Sequence, residues 1–314
     1  AGVHARQTAP TIVWEEITSG TGGPAPRWDH ILVPDSAANR LILFGGRDGN
    51  GVSLGDTWVF DVAAGAWSQL PGEGPSARFG MAAAVDDDGG GIYLFGGQAG
   101  DTFYNDLWRY DLALDAWQPL DLGEGLAPSP RYGLGGVSDR PGRFIVSHGF
   151  TFEGRFDDTW AFDLSGESWT DISPSAGARP LARCLHEQVW DASSGTMLLY
   201  GGCSSGVGPC PQGDAWSFDP AAGQWVELTP AASPEPRSNP ALVADPGGSA
   251  VLLVGGLSPG GYVADAWLGT IADGALTWTA LEFAEVAPSP RASHDMATLR
   301  DRAYLFGGTG DTDP

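Results

Sequence analysis

The sequence predicts an all-β molecule made of six copies of one small sheet set in a ring, and three periodic observations predict it. An arginine ends a proline-rich connector at Arg27, Arg78, Arg131, Arg183, Arg237 and Arg291, with spacings of 51, 53, 52, 54 and 54 residues. A glycine doublet runs in step, at Gly45-Gly46, Gly96-Gly97, Gly201-Gly202, Gly255-Gly256 and Gly307-Gly308, while the third unit has Ser147-His148-Gly149 in its place. An Asp-x-Trp phrase follows, from Asp56 to Trp58, Asp106 to Trp108, Asp158 to Trp160, Asp214 to Trp216 and Asp265 to Trp267, and each is trailed by a further tryptophan at Trp67, Trp117, Trp169, Trp225 or Trp278. A fixed period near fifty residues marks a unit that buries its apolar faces only against copies of itself.

Each element of the unit can be justified in turn. The connector APSPR occurs identically at 127–131 and 287–291. Its prolines fix φ and remove a backbone donor, so it is an extended or turning link rather than the interior of a helix or central strand. The first unit then reads as four strands, WDHILV, LILFGG, DTWVFDV and AWSQL, separated by DSAANR, RDGNGVSLG and AAG. Neighbours along a strand face opposite ways, so Trp58 and Phe60 share one side while Thr57 and Val59 take the other. Apolar groups on both sides require each sheet to sit between two others, and a ring of sheets leaves only short, protected edges. The forty-seven glycines and 24 prolines suit many short strands and tight turns, and no stretch has the periodicity of a long helix. No apolar run is long enough to span a bilayer. The chain begins without a recognisable secretory signal, although one could be removed before residue 1.

At this level the chain resembles the kelch-repeat β-propellers over essentially its full length. The resemblance rests on the Gly-Gly after the second strand, the aromatic-Asp of the third (WVFD, WRYD, WAFD, WSFD) and the later tryptophan. It implies a single six-bladed propeller with blades at 27–70, 78–120, 131–172, 183–228 and 237–281, and a last blade from 291–308 plus 11–18. In that arrangement TIVWEEIT at 11–18 supplies the fourth strand of the last blade, so the N-terminal strand closes the ring. One gap stands out: no Asp-x-Trp strand follows GGTGDTDP, so either the sixth blade has three strands or the natural chain continues beyond Pro314. Kelch-like propellers include protein-binding modules, parts of a copper radical oxidase, a sialic acid epimerase and plant specifier proteins, so activity has to be argued from the site.

Strands one and two are antiparallel, which puts the repeated arginine and the loop after the glycine doublet on one face of the disk. Mouths of barrels and propellers are usual ligand sites. Arg27, Arg78, Arg131, Arg183, Arg237 and Arg291 therefore have two readings. They are either a ring for a carboxylate, phosphate or acidic peptide, or structural partners of the Asp-x-Trp acids. His148, at a glycine position beside Ser147, is expected to point where the other blades have nothing, toward the pore; Ser147 and His148 join the ligand-binding candidates. His30, His186 and His294 recur three residues after the arginines and match a kelch position where histidine packs within the blade.

Cys184, Cys203 and Cys210 all fall in the fourth unit, near the mouth. A disulfide within the long loop, or from the loop to Cys184, is one reading; a Cys/His metal site with His186 is the other. No zinc spacing, copper radical set or iron motif is present: Glu187 and Asp191 have the spacing of the specifier motif, but Gly195 stands where its histidine belongs. DGNG at 48–51 and DDDGGG at 86–91 read as solvated turns. There is no P-loop, GxSxG, HExxH or glycosylation sequon. No metal or other cofactor is expected.

With 39 acidic residues and 16 basic ones, all arginine, the formal charge is −23. That disfavours nucleic acid and anionic membranes as partners. The expected function is non-catalytic binding of a protein or small acidic ligand on the arginine-lined face, by a monomeric, secreted or extracytoplasmic protein. The alternative is an enzyme with a central-channel site acting on a sugar or small acid.

Overall fold

A computed structural model describes residues 10–17, 22–86, 90–123, 125–139, 142–204, 208–245 and 250–311. Thr18 of the expected closing strand, the middle of the DDDGGG turn and Pro314 lie outside the described residues.

The first repeat pairs its strands in chain order and antiparallel: Ile31–Asp35, Arg40–Phe44, Thr57–Asp61 and Ala66–Gln69. The Asp that ends the third strand in the first four repeats has a local cause. Asp61, Asp111, Asp163 and Asp219 each accept two amides from the residues just beyond them, which folds the chain back into the fourth strand. The glycine doublet answers to a close approach. Gly45 and Gly46 have φ of 69° and 94°, and a Cβ on Gly45 would lie 2.7 Å from the Arg78 carbonyl. Only glycine takes both conditions without strain.

Repeats two, three and four build the same four-stranded sheet, and the fifth, from Ala241–Ala244 through Ala275–Phe283, does so as well. The sixth repeat forms only a hairpin, Ala292–Leu299 with Arg302–Thr309. The molecule is thus an all-β propeller of five complete blades, which corrects the six-bladed expectation. The N-terminal closure is corrected too. Thr11–Ile12 runs parallel to Ala275–Phe283 of the fifth sheet, in the register Thr11↔Glu282 and Ile12↔Phe283. Among the described residues no third strand lies beside Arg302–Thr309, and the N-terminal segment pairs instead at the outer edge of the fifth sheet.

The innermost strands of all six repeats nevertheless stand around one channel, each beside the next, the hairpin filling the space between the fifth blade and the first. A belt of backbone hydrogen bonds links them at the mouth. The amides of Asp29, Gly80, Gly133, Leu185, Asn239 and Ser293 donate to the carbonyls of Ser293, Asp29, Gly80, Gly133, Leu185 and Asn239 respectively, at 2.8 to 3.0 Å. All six residues have φ between 50° and 64°. The apolar cores lie between successive sheets, as with Phe44 and Ile92 between the first and second or Tyr200 and Leu253 between the fourth and fifth. Burial of both sheet faces is what the two-sided apolar pattern required.

Candidate functional site

Five of the six repeated arginines are enclosed. Arg27, Arg78, Arg131, Arg183 and Arg237 are at most 1 % exposed. Each sends its two terminal nitrogens to the two oxygens of the Asp of its own Asp-x-Trp phrase. For Arg27 the distances to Asp56 are 2.6 and 2.9 Å, and for Arg183 to Asp214 they are 2.6 and 2.7 Å. The tryptophan two residues on donates its Nε1–H to the same carboxylate, at 2.6 Å in Trp58 and 2.7 Å in Trp216. A further bond runs from each guanidinium to the carbonyl of the first residue of the doublet, as from Arg183 to Gly201. The repeated phrase is therefore one object, an Arg-Asp-Trp clasp that ties strand entry, glycine turn and third strand together. Burial alone would raise the carboxyls of Asp56, Asp106, Asp214 and Asp265, but the bonds and charge of the arginines outweigh it and hold all four below the usual carboxylate range. These guanidinium groups are spent on aspartates, which leaves the arginine ring little capacity for an outside anion.

Arg291 differs. Its donors go to the Ser289 carbonyl and hydroxyl and the Gly307 carbonyl, and no carboxylate among the described residues meets it.

His148 and Ser147 are fully buried between the third and fourth blades and do not line the channel, contrary to the expected pore position. His148 has φ of 59°, receives or gives a hydrogen bond at Nδ1 with the Ser147 hydroxyl, and packs edge-on against Trp225. Other repeats explain why. The late tryptophan of each blade stacks on the aromatic before the doublet of the preceding blade, Trp117 on Phe44, Trp169 on Phe95 and Trp278 on Tyr200. Ser147 stands where that aromatic would be, so the next residue fills the space. His30, His186 and His294 are buried within the ring, where burial first and neighbouring arginine charge second push each down to about 3.

Cys203 and Cys210 form a disulfide inside the long loop, and Cys184 is a buried free thiol whose ionisation burial disfavours. Among the described residues no three His, Cys, Asp or Glu side chains converge as a metal site.

Two features escaped sequence reasoning. The channel encloses about 380 Å³ and its lining includes Asp29, Glu187 and Asp295 from three different repeats. Burial raises all three carboxyls, Asp295 to about 7 and Glu187 well above its ordinary value. Nothing periodic marks these positions, so only the ring geometry brings them together. The second feature is aromatic. Small hairpins after the doublets, Gln98–Ala99 with Thr102–Phe103 and Phe150–Thr151 with Gly154–Arg155, stand at the mouth of blades two and three. Phe103, Phe150 and Phe152 meet there edge to face, with ring centroids 4.9 to 6.3 Å apart. Tyr132 and Phe79 extend the cluster inward. Arg155 lies over Phe150 and Arg47 over Phe79, at 5.1 and 4.5 Å. The signal was available in the loops QAGDTFYN and GFTFEGRF, whose aromatics exceed what a solvated turn needs.

A closed all-β propeller, clasped blade by blade and carrying an aromatic mouth, defines the class. The family follows from comparison: a model described as the KLHDC2/KLHL20/DRC7 Kelch-repeats domain matches residues 6–190 and 173–313, and the chain belongs to the kelch-repeat family. It is similar to Multiple epidermal growth factor-like domains protein 8 of Mus musculus, with 29% identity over 277 residues, covering 79% of this chain and 10% of that protein. It is also similar to Kelch domain-containing protein 10 of Homo sapiens, with 29% identity over 240 residues, 72% of this chain and 51% of that one. A third relative is Acyl-CoA-binding domain-containing protein 4 of Arabidopsis thaliana, 29% identical over 175 residues, 55% of this chain and 25% of that protein. The chain spans about a tenth, half and a quarter of these relatives respectively.

Proposed function

We propose that this chain is a non-catalytic, monomeric interaction propeller that engages a partner protein across the mouth of blades two and three. The observation that carries the reading is the Phe103, Phe150 and Phe152 cluster, of which Phe152 is 65% exposed. Rigid aromatics beside arginine are the residues most enriched where protein interfaces concentrate their energy. Family membership supports the same reading, because the kelch fold is widely used for protein binding. The anion ring of the sequence expectation is replaced by this aromatic surface, since the repeated arginines already hold aspartates. The Cys203–Cys210 disulfide supports an oxidising, extracytoplasmic setting. No helix among the described residues is long and apolar enough to cross a membrane.

The test is affinity capture with crosslinking from the native source, comparing the intact chain with a Phe103→Ser/Phe152→Ser double variant. Leu114→Ser serves as control, because Leu114 is exposed in a turn on the opposite face. A partner crosslinked to the mouth hairpins, kept by the control and lost by the double variant, supports the reading. A partner retained equally by all three would place binding elsewhere.

A further inference from the structure

Around the aromatic mouth the protein already shows how it uses ring faces. Four rings there each carry a guanidinium: Arg47 lies over Phe79, Arg78 over Tyr104, Arg131 over Phe156 and Arg155 over Phe150, at 3.8 to 5.1 Å. Among the described residues no cation lies over Phe103 or Phe152, although Phe103 precedes Tyr104 and Phe152 belongs to the hairpin of Phe150 and Arg155. Their rings meet at 78°, and Phe152 stands at 88° to Phe150, so the cluster presents faces in several directions rather than one flat patch. Phe152 is the exposed member and Phe103 is half-buried.

Both hairpins carry an acid in the turn. Asp101 lies between Ala99 and Thr102, and Glu153 follows Phe152. Both are exposed, and neither carboxylate has an ion-pair partner among the described residues. Exposed aromatics alone would suit any apolar partner, but unpaired carboxylates beside them discriminate by charge. A ring face attracts a cation through its quadrupole, and a neighbouring carboxylate adds to that attraction. At longer range a chain of net charge −23 draws cationic partners and repels anionic ones. Resting on the interaction reading above, we propose that the partner segment seated on this mouth is basic: it lays a Lys or Arg side chain over Phe152 and Phe103 and sets further cations against Asp101 and Glu153. The partner would thus repeat from outside the contact that the four arginines make from within.

The test uses the full chain and two capped synthetic peptides, the basic GRKRKG and its acidic twin GEDEDG. Titration at low salt is expected to give saturable binding of the basic peptide and none of the acidic one. Asp101→Asn/Glu153→Gln should weaken it about threefold or more, and so should Phe152→Leu, because leucine keeps an apolar body without a ring face. Glu167→Gln/Glu227→Gln removes the same charge from exposed positions elsewhere, the outer turn of blade three and the outermost strand of blade four, and should change affinity by less than about twofold. Hydrogen exchange on the unaltered chain gives a readout that no folding defect can mimic: the basic peptide should slow amides within 98–103 and 150–155. No binding of the basic peptide, equal weakening in the charge control, full affinity in Phe152→Leu or protection away from the two hairpins would overturn the proposal. It fails separately from the interaction reading. A partner that still crosslinks at the mouth and is lost with Phe103→Ser/Phe152→Ser, while the basic peptide does not bind, would keep the interaction and refute its basic character.

Discussion

Arg183 shows what one side chain does in this fold. It is fully buried, and its fork reaches Asp214 by two bonds, the Gly201 carbonyl by one and the Leu181 carbonyl by another. Replacing it by methionine keeps much of the volume but leaves Asp214 without its partner in a half-buried place. Breaking such a pair costs on the order of 3 kcal/mol, because the surviving charge is uncompensated. Arg183→Met should therefore lower the urea midpoint strongly with little change in slope, whereas Arg183→Lys, which keeps charge but loses the fork, should fall between it and the parent. Equal stability of all three would show that the clasp contributes nothing. That the arginine would meet this acid was one of two readings open in the sequence. What decided between them was distance, since residues 183 and 214 become neighbours only when the third strand returns beside the second.

At the scale of the element, the loop between Thr196–Tyr200 and Ala215–Asp219 is bridged by its disulfide. Arg155 of the neighbouring blade donates to the Cys203 carbonyl, so the loop is docked as well as bridged. Three cysteines in one unit signalled a bridge, but their spacing allowed Cys184 to take part. Pairing decides the matter: Cys184 and Cys203 face each other as a backbone bridge with hydrogen bonds in both directions, while the Cys203 sulfur is bonded to Cys210. One thiol per chain should react under denaturing, non-reducing conditions, and peptide mapping should locate it at Cys184. Serine at Cys210 should cost about 2 kcal/mol by releasing the loop in the unfolded state. Three reactive thiols in the purified protein would contradict the bridge.

For the whole molecule, opposed sets of buried groups set the dependence of stability on pH. His30, His186 and His294 are held down to about 3 in the fold, mainly by burial. A depressed folded value means that the unfolded chain takes up protons first, so their contribution is complete above the ordinary 6.5 and is lost as pH falls toward 3. The clasp aspartates act in the same direction below about 4, with Asp56, Asp106, Asp214 and Asp265 all depressed. Glu187 and Asp295 act oppositely. Their folded values are raised by burial, Asp295 to about 7, so the fold is favoured while they keep their protons and weakened as pH rises through neutrality. The melting temperature should peak between about pH 6 and 7 and fall on both sides. Glu187→Gln, which removes an acid with no hydrogen-bond partner among the described residues, should leave stability unchanged below about pH 4 and gain on the parent progressively above it, flattening the alkaline side. A profile that keeps rising to pH 9, or an alkaline limb untouched by the substitution, would refute this account.

Sequence by itself determined the local grammar of this protein: the repeat, the four strands of the complete units, the glycine turns, the aromatic-Asp phrase of four third strands and the resemblance to the kelch family. These follow from short-range chemistry, because φ preference, strand alternation and Asx turns act within a few residues of their cause. Ser147-His148 was legible as an exception for the same reason, but its direction was not, since the space it fills is bounded by Trp225 of another blade. Tertiary structure alone decided the number of complete blades, the edge to which Thr11–Ile12 adds, the fate of five guanidinium groups and the assembly of the aromatic mouth. Each depends on which distant strands find one another around the ring. The missing Asp-x-Trp phrase after Gly308 was legible in the sequence, but not which edge Thr11–Ile12 would join, because that depends on distant strands.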